Sequence, residues 1–245
     1  RRIRQLDLKP YMWNTVDIID TAMNNKVGEI RTSDYGPRDI AISPDGKKAA
    51  VVLDTTGRIN RCIDFIDLAT GRVTETRVIP GSANFRGVEY TPDGQYVLFT
   101  MEQPKNWLPV CKAENAQIFS NNVAMVETKA GGKVAQFPLD EHNNYDGNPY
   151  GIAICPEGKY VYIGVRGMHR VTILDLGNMT QIIQASSQEE LDEMKDDLTV
   201  MVDYLVKRVN VGLGPSSVAL SPDGKICYVA NYFSNNVSVI RTPLD

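Results

Sequence analysis

The chain has 245 residues, 42% hydrophobic and 23% charged, a balance typical of a globular protein with apolar material enough for one large all-β domain. Its formal net charge of -4 argues against nucleic acid as the main partner, since phosphate backbones are met by basic faces. No apolar run approaches the roughly 18 to 20 residues that span a bilayer, and four cysteines without C-x-x-C or C-x-x-C-H spacing, beside only His142 and His169, argue against a zinc, copper or haem centre built wholly within the chain.

The first element is a strand of alternating polarity, Asn14-Thr15-Val16-Asp17-Ile18-Ile19-Asp20. A Pro-Asp-Gly turn follows, Ser43-Pro44-Asp45-Gly46, between the apolar runs DIAI and AAVV. It recurs as Thr91-Pro92-Asp93-Gly94, Cys155-Pro156-Glu157-Gly158 and Ser221-Pro222-Asp223-Gly224, each copy between two short apolar runs. Proline presets φ in such a turn and glycine supplies φ > 0. Beyond each second run comes another strand signature: Ile63-Asp64-Phe65-Ile66-Asp67-Leu68, Asn122-Val123-Ala124-Met125-Val126, Val171-Thr172-Ile173-Leu174-Asp175-Leu176 and Asn236-Val237-Ser238-Val239-Ile240. A glycine turn and an outer strand complete the unit. One unit is thus four antiparallel strands, and a repeated four-stranded unit is a β-propeller blade.

Successive turn prolines lie 48, 64 and 66 residues apart, against about 40 to 45 residues for a minimal blade. The later units therefore carry insertions. One is helical: Ser187-Gln188-Glu189-Glu190 reads as a capping box, and Leu191, Met194, Leu198, Met201, Val202, Leu205 and Val209 follow at helical spacing. The pattern predicts one amphipathic helix of about five turns over 187–209, its apolar stripe packed either on the propeller's own flank or on a partner. The chain begins and ends at third strands, so residues 1–245 read as a single propeller domain, incomplete at its N-terminus. About four blades' worth of strands belong to a larger, seven-bladed ring, because an unclosed propeller exposes sheet edges.

The segment Tyr228-Val229-Ala230-Asn231-Tyr232-Phe233-Ser234-Asn235-Asn236-Val237-Ser238-Val239-Ile240 resembles the repeat that names the YVTN β-propeller family, and the likeness extends through all four units. From Lys195 to Ile240 the order of helix, Arg208-Val209-Asn210-Val211-Gly212-Leu213-Gly214-Pro215 and strand pair is similar to propellers beside, or fused to, di-haem cytochrome c peroxidase-like domains. That resemblance implies a periplasmic or other extracytoplasmic scaffold without a catalytic site of its own, in a hetero-oligomeric redox complex. Haem c would belong to a partner subunit or fused domain, since the chain lacks C-x-x-C-H. YVTN-type propellers also resemble lactonases and quinoprotein-dehydrogenase subunits, so an enzyme or ligand-binding protein acting at the channel mouth is the alternative.

Aligned loops leading into the inner strands place Arg38, Arg86, Tyr150 and Ser216 around that mouth. Two guanidiniums there would suit an anion or a partner; equally, these groups would satisfy loop carbonyls. Loops between second and third strands carry Trp13, Trp107, Tyr232 and Phe233, a candidate partner interface on the same face unless the loop around Trp107 buries them. Cys62 and Cys111 occupy corresponding loops of adjacent blades, within reach of a disulfide or else two buried thiols, while Cys155 and Cys227 read as small core residues. The loop from Asp140 to Asn148 is dense in oxygen donors, with Asp140, Glu141 and Asp146 as candidate Ca²⁺ ligands, although it lacks EF-hand spacing.

Overall fold

The structure is a computed structural model, which describes residues 14–54, 61–104, 119–139 and 147–242. Its strands form five antiparallel sheets, and in each the strands lie side by side in chain order. The first sheet pairs β1 (Thr15–Asp20) with β2 (Asn25–Arg31). The second holds β3 (Pro37–Ile42), β4 (Lys48–Leu53), β5 (Cys62–Asp67) and β6 (Arg72–Val78). The third holds β7 (Val88–Tyr90), β8 (Tyr96–Pro104), β9 (Phe119–Glu127) and β10 (Val134–Pro138). In the fourth are β11 (Pro149–Ile154), β12 (Tyr160–Val165), β13 (Arg170–Asp175) and β14 (Leu205–Asn210). The fifth has three strands, β15 (Pro215–Leu220), β16 (Ile226–Asn231) and β17 (Asn236–Arg241). These are propeller blades, and in the second to fifth the inner strand precedes the Pro-Asp-Gly or Pro-Glu-Gly turn.

The second strands of the second, third and fourth blades are apolar without alternation because both of their faces are covered, whereas β16 of the fifth alternates, with Tyr228 on an exposed face. On β4, Ala49, Val51 and Leu53 pack with Ile30 of the first sheet, whereas Ala50 and Val52 pack with Phe85, Phe99 and Met101 of the third blade. Likewise, Leu98 of β8 faces the fourth blade, with Val161 and Ile163, while Val97 and Phe99 face back toward the second. Tyr162 of β12 meets Val218, Cys227 and Val229 of the fifth sheet. Hydrophobic cores therefore lie between successive blades.

All four repeated turns adopt the expected geometry. Gly46, Gly94, Gly158 and Gly224 have φ of 71°, 71°, 68° and 69°, and each donates its N–H to the carbonyl three residues earlier at 2.8 Å. In three copies the leading hydroxyl also donates to the aspartate, as Ser43 Oγ does to Asp45 Oδ1 at 2.7 Å. In the third copy Cys155 replaces the hydroxyl, and its Sγ accepts from the N–H groups of Lys159 and Tyr160 at 3.1 and 3.0 Å. The turns stack around the end opposite the mouth: a Cβ on Gly94, Gly158 or Gly224 would touch Pro44, Pro92 or Pro156 of the preceding copy.

The helical insertion differs from the single helix predicted. It comprises α1 (Leu176–Ala185), α2 (Gln188–Met194) and a short α3 (Met201–Tyr204), and β14 begins at Leu205. The capping box of Ser187 and Glu190 forms as expected, but α2 stops after Met194. Asp197 is extended and its side chain accepts from Thr199 N at 2.8 Å, opening a new 3₁₀ turn, so local carboxylate bonding overrides the helical period. Leu205 and Val209 are strand residues, and Val202 is 82% exposed rather than part of a buried stripe. The apolar residues that do pack inward, Leu191, Met201 and Tyr204, are buried on the chain's own flank. Tyr204 donates to Pro138 O at 2.8 Å and meets Phe137 edge to face at 5.1 Å, while Gln188 pairs with both the N–H and C=O of Val134. The insertion thus covers the outer edge of the third blade.

Candidate functional site at the channel mouth

Inner strands approach the axis closely where their first residues are small. A Cβ on Gly87 would lie 2.7 Å from Tyr150 O, and one on Gly151 would lie 2.7 Å from Ser217 Cα. Instead, Gly87 N donates to Tyr150 O at 3.0 Å, and Thr100 Oγ1 donates to the same carbonyl at 2.8 Å. On the other side, Asp39 Oδ2 accepts from Val88 N at 3.0 Å. This lacing places Arg38, Arg86, Tyr150 and Ser216 on one cavity of about 330 Å³ at the mouth. The wall of the channel crowds Glu89, and with the adjacent Asp39 carboxylate it raises the Glu89 carboxyl above the ordinary glutamate range.

Arg86 is held rather than free. Its Nη1 lies 2.9 Å from Asp54 Oδ2 and donates to Phe85 O at 3.0 Å. Asp54 also receives the buried Arg61 at 3.3 Å, an ionic link across the connection from β4 to β5. Beyond Asp54, the Arg86 guanidinium sits 5.2 Å from the Tyr150 ring centroid, and Arg166 covers the same ring at 4.8 Å. Burial would raise the Tyr150 phenol, but the neighbouring positive charges of Arg86 and Arg166 outweigh it, so the phenol titrates below the ordinary tyrosine range.

Arg166 was not among the predicted site residues, yet it joins three of them, Tyr150, Tyr232 and Phe233. Its guanidinium is 5.0 Å from the Tyr232 ring and 4.9 Å from the Phe233 ring. Those rings meet edge to face at 5.2 Å and are 65% and 57% exposed. The signal was its position: Arg166 lies in the connection from β12 to β13, the same class of loop that carries Tyr232 and Phe233 in the next blade. His169, in the left-handed region at φ 53°, closes that connection and accepts from Gly214 N through Nδ1 at 3.1 Å.

The remaining candidates divide by place. Trp13, Trp107, Cys111, Asp140, Glu141 and Asp146 lie outside the described residues. Cys62 is buried at the start of β5, and Cys155 and Cys227 are buried free thiols. Among the described residues no group of three histidine, cysteine or acidic side chains is placed to hold a metal ion, and no helix is long and apolar enough to cross a membrane.

Stacked four-stranded sheets around an arginine-lined mouth make this chain a β-propeller protein. Over 234 residues, 96% of its length, it is 65% identical to hydrazine synthase subunit beta of Kuenenia stuttgartiensis, and it spans about three fifths (61%) of that relative. It superposes on a chain of Kuenenia stuttgartiensis hydrazine synthase with a TM-score of 0.92 at 65% identity, covering 96% of this chain and 66% of that one. The dihydro-haem d1 dehydrogenase NirN in complex with DHE gives a TM-score of 0.57 at 15% identity, with 94% and 39% coverage. The β-propeller domain of Myceliophteria thermophila Cps50 (Swd1) gives 0.61 at 12%, with 94% and 59% coverage. The last two share the fold alone. No protein-family model matches the chain.

Proposed function

We propose that the chain is the propeller scaffold of a hydrazine synthase-type complex, holding a c-type haem redox partner on its mouth face in an extracytoplasmic compartment. The observation that carries this reading is the 65% identity, over 96% of the chain, to a subunit of an enzyme assembled from several. The exposed aromatic pair Tyr232 and Phe233 beside Arg166 supports it, since aromatic and arginine side chains anchor protein interfaces. In this reading the chain orients a partner and leaves redox chemistry to the partner's haem.

The test is co-expression of the full subunit with the companion subunits of the same complex, followed by purification through a tag on this chain. A Soret band eluting with it in constant ratio is the expected result. A colourless monomer that turns over a lactone or an alcohol would instead establish the propeller-enzyme reading. The extracytoplasmic assignment is checked by titrating thiols in the unfolded, unreduced protein: a Cys62–Cys111 bridge leaves two reactive thiols, whereas four would remove that support.

A further inference from the structure

We propose that the rim where Arg86, Tyr150, Arg166, Tyr232 and Phe233 converge is a carboxylate clamp, which docks an acidic, apolar-flanked segment of a partner protein. The inference deepens the scaffold reading and rests on it for the identity of the face. Its basis is an imbalance of charge and polarity. Asp54 already serves Arg86 and Arg61, and Asp39 serves Val88 N, so these two carboxylates are engaged within the fold. Arg166 and the exposed Arg38 have no carboxylate partner among the described residues. Arg166 lies against three rings, two of them more than half exposed. Stacking on rings holds a guanidinium in place while leaving its in-plane N–H groups for a forked bond to a carboxylate.

The chemistry narrows the occupant. A polyphosphate or nucleic-acid backbone would bring several charges into a mouth that also holds Asp39 and Glu89, on a chain of net charge -4. A single carboxylate avoids most of that repulsion, and apolar neighbours in its own chain would cover Tyr232 and Phe233. The proximity of two guanidiniums already draws the Tyr150 phenol toward ionisation, which marks the spot as one where negative charge is stabilised.

The test uses the full subunit and a fluorescent peptide rich in glutamate and leucine, with its glutamine counterpart, in fluorescence anisotropy at two salt concentrations. The glutamate peptide is expected to bind and the glutamine peptide to bind at least tenfold more weakly. Arg166→Gln should weaken the glutamate peptide about tenfold or more, and Arg166→Lys should restore only part, since a point charge lacks the fork. Tyr232→Ala, a change at an exposed side chain, should also weaken it; thermal unfolding verifies that the variants fold. Equal binding of both peptides, or unchanged affinity in Arg166→Gln, overturns the clamp. Displacement by acetate or inorganic phosphate at concentrations similar to the peptide's also overturns it, because the site would then take a small anion. Co-purification separates the two proposals: haem protein retained by Arg166→Gln without loss sinks the clamp and leaves the scaffold, whereas peptide binding by a wild-type subunit that retains no haem protein sinks the scaffold and leaves the clamp.

Discussion

Gly214 lies directly beneath Phe233: a Cβ added there would come within 2.4 Å of the ring, at a φ of +70° that side chains rarely adopt. Gly214→Ala is therefore expected to cost about 1 to 3 kcal/mol through strain and ring displacement, read as a lower denaturation midpoint together with weaker peptide binding at the rim. Gly87 has the same importance for Tyr150, whose carbonyl occupies the space a methyl would need. Buried acids of high pKa give a second expectation at this scale. Burial pushes the Tyr90 and Tyr162 phenols from 10.0 to about 12, and the Cys227 thiol from 9.0 to about 12. Stability from keeping these groups neutral is complete below pH 9 and is lost as the pH rises through 9 to 12, because the unfolded chain ionises first. Urea midpoints at pH 8, 10 and 11 should fall in that order; a flat series would refute the assignment. The positions of Arg38, Arg86, Tyr150 and Ser216 were legible from aligned loops, but the coupling of Arg86 to Asp54 was not, since no spacing rule joins residues 32 apart.

Among the elements, the helical insertion depends on a few polar contacts at its ends. Ser187 caps α2, and Lys133 Nζ from the β9–β10 connection donates to the carbonyls of Ile183, Gln184 and Ser186 at 2.9, 3.2 and 2.6 Å, satisfying the free end of α1. Ser187→Ala is expected to cost about 1 kcal/mol. Lys133→Met should cost a similar amount through lost terminal bonds, about 1 kcal/mol. Protection of the α1 and α2 amides against hydrogen exchange should drop in both variants while that of β11 and β12 is unchanged. Uniform loss across the fourth blade would show instead that insertion and blade unfold together. The capping box was plain in sequence because its contacts are local. The break at Lys195–Asp197 was not, because a seven-residue apolar series fitted the helical period while Asp197 and a cluster of β-branched residues favoured other backbones.

At the scale of the whole molecule, blades are joined by polar staples as well as apolar cores. Arg77 of β6 is 8% exposed, stacks 5.2 Å from the Phe65 ring centroid and donates through Nε to Glu75 at 2.7 Å. Its remaining donors reach the carbonyls of Glu127, Lys129 and Gly132 in the next blade. Arg77→Ala leaves those acceptors and Glu75 without their donor and is expected to cost about 3 kcal/mol, measured by denaturant unfolding. The Arg77 hydrogen bond, against a smaller burial effect, holds the Glu75 carboxyl below the usual 4.5. Its contribution is present above that value and lost as the pH falls through the depressed one. The acid-side loss should therefore shrink in Arg77→Ala, and an unchanged acid limb would show that the pair adds nothing.

By itself the sequence determined the blade: four turns, the apolar runs on either side of each, and the order of strands within a unit, all of which follow from backbone geometry and hydrophobic period over a few residues. Only the tertiary structure decided which side chains share the rim, that Arg166 belongs with Tyr150, Tyr232 and Phe233, and that the insertion covers the third blade. Those outcomes depend on how closely neighbouring sheets approach, which glycines at the axis, turn stacking and buried ion pairs set together across long stretches of chain.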